Sequence, residues 1–192
     1  MSCFDCRGID ADSVALMPVW RHVRAIVLLP GAAAVVVPLV ILVLGSGPRI
    51  GWGLGPVLAV LAVLLGLVLV IVGLAFWVWT VRLFARIGQG TLAPWDPTHH
   101  MVVKGPYSHI RNPMITAVLA VLIGEAVVLG SSTLLIWCAV FFAINWIFFV
   151  VHEEPALERR FGEEYREYRC NVPRWVPRRT SWTPAGRSRA SA

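Results

Sequence analysis

The apolar positions of this chain come in long blocks rather than stripes. Three runs, at about 23–44, 56–79 and 132–151, each supply the roughly 20 mainly apolar residues that a membrane-spanning helix needs. A fourth run, 115–129, is shorter and contains Glu125. It is followed by Gly130-Ser131-Ser132, a tight-turn sequence leading straight into the last block, so it too reads as a span. Beyond the last block the pattern changes. Leu157, Phe161, Tyr165 and Tyr168 recur at spacings of four, four and three among Glu and Arg, which is one face of an amphipathic helix. Val172-Pro173 ends that face, and a Trp/Arg/Pro segment suited to the membrane interface follows. The pattern predicts an all-α integral membrane protein with four or five transmembrane helices in hairpins and a cytoplasmic amphipathic C-terminal helix. Residues 1–19 form a cytoplasmic lead-in and 20–81 the first hairpin. Residues 82–179 form a core of polar loop, second hairpin and amphipathic helix, and 180–192 a disordered tail rich in Ser, Arg and Ala.

Composition supports the membrane reading: of 192 residues, 57% are hydrophobic and 15% charged, a balance that no water-soluble domain of this size hides. The first apolar run is long and lacks a small-residue cleavage site after it, so it reads as a retained span. Arg7, Arg21 and Arg24 precede the first span, Arg82, Arg86, Lys104 and Arg111 lie between the second and third, and a dense Arg cluster follows the fourth. The two remaining connections carry only Arg49. Both termini and the central loop are therefore expected in the cytoplasm. The net charge of +6 is accounted for by anionic lipid headgroups and requires no nucleic acid. Cys3 and Cys6 form a lone pair, Cys138 is inside a span and Cys170 is near the end, which gives neither a metal site nor a disulfide framework. Phosphate-binding loops, HExxH and GxSxG are absent. Glu125 inside a span is a functional candidate, or else a group near the outer end that snorkels or stays protonated, and Asn145 suits a bond across helices in preference to a substrate contact.

Polar chemistry gathers in two segments on one side of the membrane: "TLAPWDPTHHMVVKGPYSHIRNP" between the hairpins and "HEEPALERRFGEEY" after the last span. If the hairpins associate, the segments meet, with Arg111 opposite Glu153 and Glu154. Gly105-Pro106 permits a tight turn and close backbone approach, and Asn112-Pro113 starts a helix. A helix start beside an Arg favours a carboxylate or phosphate. A Glu pair suits an ammonium or ribose hydroxyls. Such a pocket fits a zwitterionic or nucleoside-like ligand, although a purely structural helix start with interfacial salt bridges satisfies the same composition.

These residues resemble the paired motifs of the small membrane methyltransferases that include isoprenylcysteine carboxyl methyltransferase and the phospholipid N-methyltransferases. "THHMVVKGPYSHIRNP" is similar to a first motif of His, a few apolar residues, Gly-x-Tyr, three residues and Arg-His-Pro or Arg-Asn-Pro. "EEPALERRFGEEYREYRCNVPR" is similar to a second, of Glu-Glu, Leu, Phe-Gly-x-x-Tyr-x-x-Tyr and Val-Pro. The likeness covers about residues 88–177. It implies S-adenosyl-L-methionine as cofactor, bound on the cytoplasmic face of the bacterial inner (plasma) membrane, and a lipophilic small-molecule or lipid acceptor reached through the bilayer. It sets no oligomeric state. Carried over by position, His99 or His100, Gly105, Tyr107, Arg111, Asn112 and Pro113 line the cofactor site from the loop, and Glu153 and Glu154 from the other segment. In that transfer Arg111 and Glu154 are the essential pair: either glutamate meets the cofactor's amino group, and Arg111 fixes its carboxylate or orients the acceptor. Two departures, Asn112 where the prenylcysteine branch has His and Ile115 where it has Tyr, argue against a prenylcysteine acceptor. Bases for a protonated acceptor are His99, His100, His109, Glu153 and Glu154, among which the sequence does not choose. Two competing readings are an NADPH-dependent sterol- or lipid-type membrane reductase, which shares a C-terminal Tyr/Val/Pro pattern, and a non-enzymatic scaffold or carrier. The Gly-x-Tyr, Arg-Asn-Pro motif disfavours the first. Polar groups gathered at one face rather than along the spans disfavour a carrier.

Overall fold

The structure is a computed structural model describing residues 27–45, 47–88 and 101–184, and its regular elements are helical. The lead-in, Cys3, Cys6, His99, His100 and residues 185–192 lie outside the described residues. The first apolar run is a wide π-type helix, Val27–Val36, leading into α1, Val37–Leu44. The second is α2, Pro56–Gly88. Nothing between Trp79 and Gly88 breaks a helix, so α2 runs past the expected end of its span and the boundary drawn at residue 81 falls inside it. The second hairpin is α3, Pro113–Leu129, and α4, Ser132–Phe148. Two helical stretches, Pro56–Leu83 and Ser132–Phe161, are long and apolar enough to cross a membrane, and Gly31–Leu44 and Pro113–Leu129 are shorter apolar helices.

The core sits around α3, which packs against both α2 and α4. Ala117, Val118, Val121, Leu122 and Ala126 are buried, while α2 leaves Leu58, Leu61, Leu65 and Ile71 exposed, as suits side chains facing hydrocarbon. Apolar burial against lipid gives little drive for helix pairing, so close van der Waals approach must supply it. Gly66 and Gly73, two turns apart on α2, and Gly124 on α3 make that approach. A Cβ on Gly124 would stand 2.7 Å from the Gly66 carbonyl oxygen, and one on Gly73 3.0 Å from that of Ala117. At the far end Gly130 closes α3 in the left-handed conformation (φ 58°), and Ser131 Oγ accepts the Leu134 N–H to start α4. The Arg49 N–H donates to the Leu129 carbonyl at 2.9 Å, tying the first connection to this turn.

Beyond Phe148, α4 widens into a π turn, Phe149–Glu153, before α5, Glu154–Phe161. Pro155 explains the widening, because it lacks an N–H and its ring would collide with the carbonyl four residues back. The amphipathic helix read from spacing is two helices. Gly162 (φ 54°, ψ −125°), in a conformation open only to glycine, separates α5 from α6, Glu163–Asn171. The apolar face survives the break, since Leu157, Phe161, Tyr165 and Tyr168 converge on Val103, Val172 and Trp182. Residues 180–184, assigned above to a disordered tail, are held instead. The Trp182 N–H donates to the Ser108 carbonyl at 3.0 Å, and its ring lies 5.7 Å from that of Tyr168. Among the described residues Asn145 makes no bond across helices; its amide donates to the Phe141 carbonyl of its own helix at 2.8 Å.

Candidate functional site

Three segments of chain meet at the end of the second hairpin away from the Gly130 turn: the loop 101–112, the π turn with the start of α5, and the segment 172–182. In the loop, Gly105 takes φ 58° and opens a 3-10 turn, Gly105–Ser108, which Ser108 Oγ closes by donating to the Gly105 carbonyl at 2.7 Å. A left-handed glycine is needed here, and a Cβ would press to 3.1 Å of Leu83 on α2. Asn112 precedes Pro113 as the cap of α3. Its carbonyl accepts from the Thr116 N–H and hydroxyl, and its side chain makes no capping bond.

The segment 172–182 runs antiparallel to the loop as a strap. The Arg111 N–H donates to the Pro173 carbonyl at 3.0 Å, the Arg178 N–H to the His109 carbonyl at 3.1 Å, and the Trp182 N–H to Ser108 as above. Trp175 anchors the strap to the span, its ring lying 5.0 Å from Phe142, 6.1 Å from Trp146 and 6.1 Å from Phe149.

At the junction stands a charged cluster. Arg111 Nη1 donates to Glu154 Oε1 at 2.9 Å; Arg174 donates to the same carboxylate through Nε and Nη2, both at 2.8 Å. The three side chains are 12%, 12% and 21% exposed for Glu154, Arg111 and Arg174, so the pairing is largely shielded from water. Arg174 also covers the Trp146 ring at 5.5 Å. It was not among the residues singled out from the sequence. Both Glu154 oxygens are thereby engaged. Arg111 Nε, however, is buried without a hydrogen-bond partner among the described residues. Glu153 neighbours this cluster, close enough to Tyr107 to act on it electrostatically.

Tyrosines wall the cluster. The Tyr168 hydroxyl donates to the Tyr107 carbonyl at 2.7 Å, and Tyr165 lies against Arg111. Burial, reinforced by Tyr168 and Glu153, pushes the Tyr107 hydroxyl well above the usual phenol range. Burial also pushes up Tyr168, against the opposing pull of Arg111, and Tyr165. All three are therefore neutral hydrogen-bonding groups at physiological pH. The structure thus brings together Gly105, Tyr107, Arg111, Asn112 and Pro113 in the loop, with Glu154 paired to Arg111 and Glu153 beside it.

A family model described as phospholipid methyltransferase matches residues 61–164, more than half of the chain. Protein-S-isoprenylcysteine O-methyltransferase of Schizosaccharomyces pombe is 33% identical over 84 residues, which cover 41% of this chain and 34% of the yeast enzyme. The match therefore spans about a third of that relative's length. An uncharacterized protein of Haemophilus influenzae is 33% identical over 63 residues, a third of this chain and the whole of that protein.

Proposed function

The chain belongs to the phospholipid methyltransferase family, and from that membership we propose that it is an S-adenosylmethionine-dependent methyltransferase of the bacterial inner membrane. In this reading four helices span the bilayer, both termini and the loop 101–112 are cytoplasmic, and the acceptor is a lipid or other lipophilic molecule. The observation that supports the site is the buried Arg111 Nε, without a hydrogen-bond partner among the described residues, on the guanidinium that pairs with Glu154, the sequence neighbour of Glu153. A guanidinium edge with a hydrogen still to donate suits a carboxylate, and a neighbouring acidic side chain suits an ammonium. Together they match the amino-acid end of the cofactor. When bound, S-adenosylmethionine supplies a methyl group on a sulfonium, already activated for transfer.

The chain's own residues then have distinct duties. Arg111 and Glu153 hold the cofactor's charged end. Glu154, saturated by two arginines, is a positioning residue that fixes the Arg111 guanidinium in plane. Tyr107, Tyr165 and Tyr168 keep water from the charged pair, and Gly105 lets the loop backbone come close. Binding and water exclusion supply much of what methyl transfer requires of a protein.

The test is binding of radiolabelled S-adenosylhomocysteine to sealed membrane vesicles, with NADPH as the parallel ligand. Inside-out vesicles bind it and right-side-out vesicles do not. Glu153→Gln and Arg111→Ala each lower affinity by about thirtyfold or more, the loss of one charge-assisted contact. Wild-type affinity in both variants would sink the site assignment, and binding of NADPH alone would put the reductase reading in its place.

A further inference from the structure

A cavity of about 690 Å³ opens beside the loop, walled by Phe76 and Trp79 of α2, by Pro106 and His109, and by Trp182 of the strap, with Lys104 also lining it. Arg111, Glu153 and Glu154 do not line it. Trp79 is 53% exposed on α2, beside the exposed Val78 and Leu74 and one turn before the exposed Arg82, so the cavity opens at the surface of α2 where its apolar stretch meets its first arginine. The walls are therefore suited to an apolar body arriving from the bilayer.

His109 gives this cavity a directional polar group. Its Nδ1 lies 2.9 Å from the Arg178 carbonyl oxygen. A carbonyl only accepts, so Nδ1 carries the hydrogen, and in the uncharged tautomer that this selects the lone pair is on Nε2. The backbone of His109 is fixed as well, its carbonyl accepting from the Arg178 N–H. The strap therefore sets both the ring's orientation and its tautomer. Lys104 and His109 are the titratable side chains lining the cavity among the described residues. Lys104 is exposed and cationic, which disfavours a second ammonium beside it. A bare Nε2 lone pair disfavours a carboxylate. An uncharged hydroxyl satisfies both groups, since it donates to Nε2 and brings no charge to desolvate.

We propose that this cavity receives the polar end of the methyl acceptor, that His109 Nε2 accepts its hydrogen bond, and that the acceptor is accordingly a hydroxyl-bearing amphiphile. The assignment deepens the methyltransferase reading and rests on it for the word acceptor. His109 is a specificity-determining residue in this scheme.

The test uses the full chain in nanodiscs, without a methyl donor. Diazirine-bearing dodecanol, dodecylamine and dodecanoate are photolysed in parallel and the labelled peptides mapped by mass spectrometry. The alcohol labels the segments around Phe76–Trp79 and Ser181–Pro184 more strongly than the other two probes. His109→Gln, which keeps an acceptor atom, retains that labelling, whereas His109→Phe lowers it about tenfold, the loss of one hydrogen bond to a confined group. Preferential labelling by dodecanoate or dodecylamine, or undiminished labelling of His109→Phe, overturns the proposal. S-adenosylhomocysteine binding on the same samples separates the two readings. Binding with an unlabelled cavity defeats this inference alone, and a labelled cavity without such binding defeats the methyltransferase reading while leaving the hydroxyl site.

Discussion

Glu154→Gln is the sharpest perturbation of the charged cluster, because it changes one atom and removes one charge. In the native protein the carboxylate receives three charge-assisted hydrogen bonds at 2.8–2.9 Å, and its side chain is only 12% exposed. Removing one partner from a buried ion pair costs about 3–5 kcal/mol, chiefly because the remaining charge is left unneutralised. Glutamine keeps one acceptor oxygen and recovers about 1 kcal/mol. The net loss is then about 2–4 kcal/mol, measured by denaturation in mixed micelles with tryptophan fluorescence as the probe. Trp146 and Trp175, stacked 18° from parallel beside Arg174, report directly on the region. Replacing the whole triad, Glu154→Leu with Arg111→Met and Arg174→Met, removes the desolvation cost along with the attraction and recovers most of the loss. Glu158→Gln, whose arginine partners are largely exposed, leaves stability unchanged and serves as the control. A Glu154→Gln loss below about 1 kcal/mol, as for a surface pair, would refute the reasoning, as would a triad variant no more stable than the single substitution.

Two further outcomes follow from the packing. The chain has three tyrosines, all in the site wall, so phenol absorbance at 295 nm reads the site alone. Burial raises Tyr107 and Tyr168 in the folded state, so above about pH 10 the unfolded chain releases protons first. Stability is then level below that pH and falls above it, and phenolate absorbance should rise together with unfolding; a titration at ordinary phenol pH without unfolding contradicts the buried wall. On the other side of the molecule, Gly124→Val forces a side chain against the α2 backbone at Gly66 and should cost about 1–3 kcal/mol. Gly55→Ala, with open space around it, should behave as wild type in the same denaturation series.

The elements legible in the sequence were those governed by short-range pattern. Long apolar blocks announced the helices, Gly130-Ser131 announced the turn, and Asn112-Pro113 announced the start of α3. The meeting of Arg111 with Glu154 was also legible, because hairpin topology and charge asymmetry put both segments on one side. What escaped depends on distant partners. Arg174 looks like any other arginine of a basic rim until the Arg111 N–H binds the Pro173 carbonyl and the strap turns it inward. Val172-Pro173, which forces extended backbone after a helix, was the local signal available. The break at Gly162 was hidden by a face that continues in phase across it, and the extension of α2 by the expectation that a helix ends with its span.

The strap has a consequence for how the protein is made. Synthesis delivers Arg111 first, Glu154 later, and Arg174 only after all of α3 and α4. Until residues 173–182 leave the ribosome, the Glu154 carboxylate has one arginine instead of two, and the His109 ring has no carbonyl to set its tautomer. The charged cluster is therefore completed by the last of its pieces to be translated, and a chain that stops before residue 173 has α3 and α4 but neither Arg174 nor the carbonyl that orients His109.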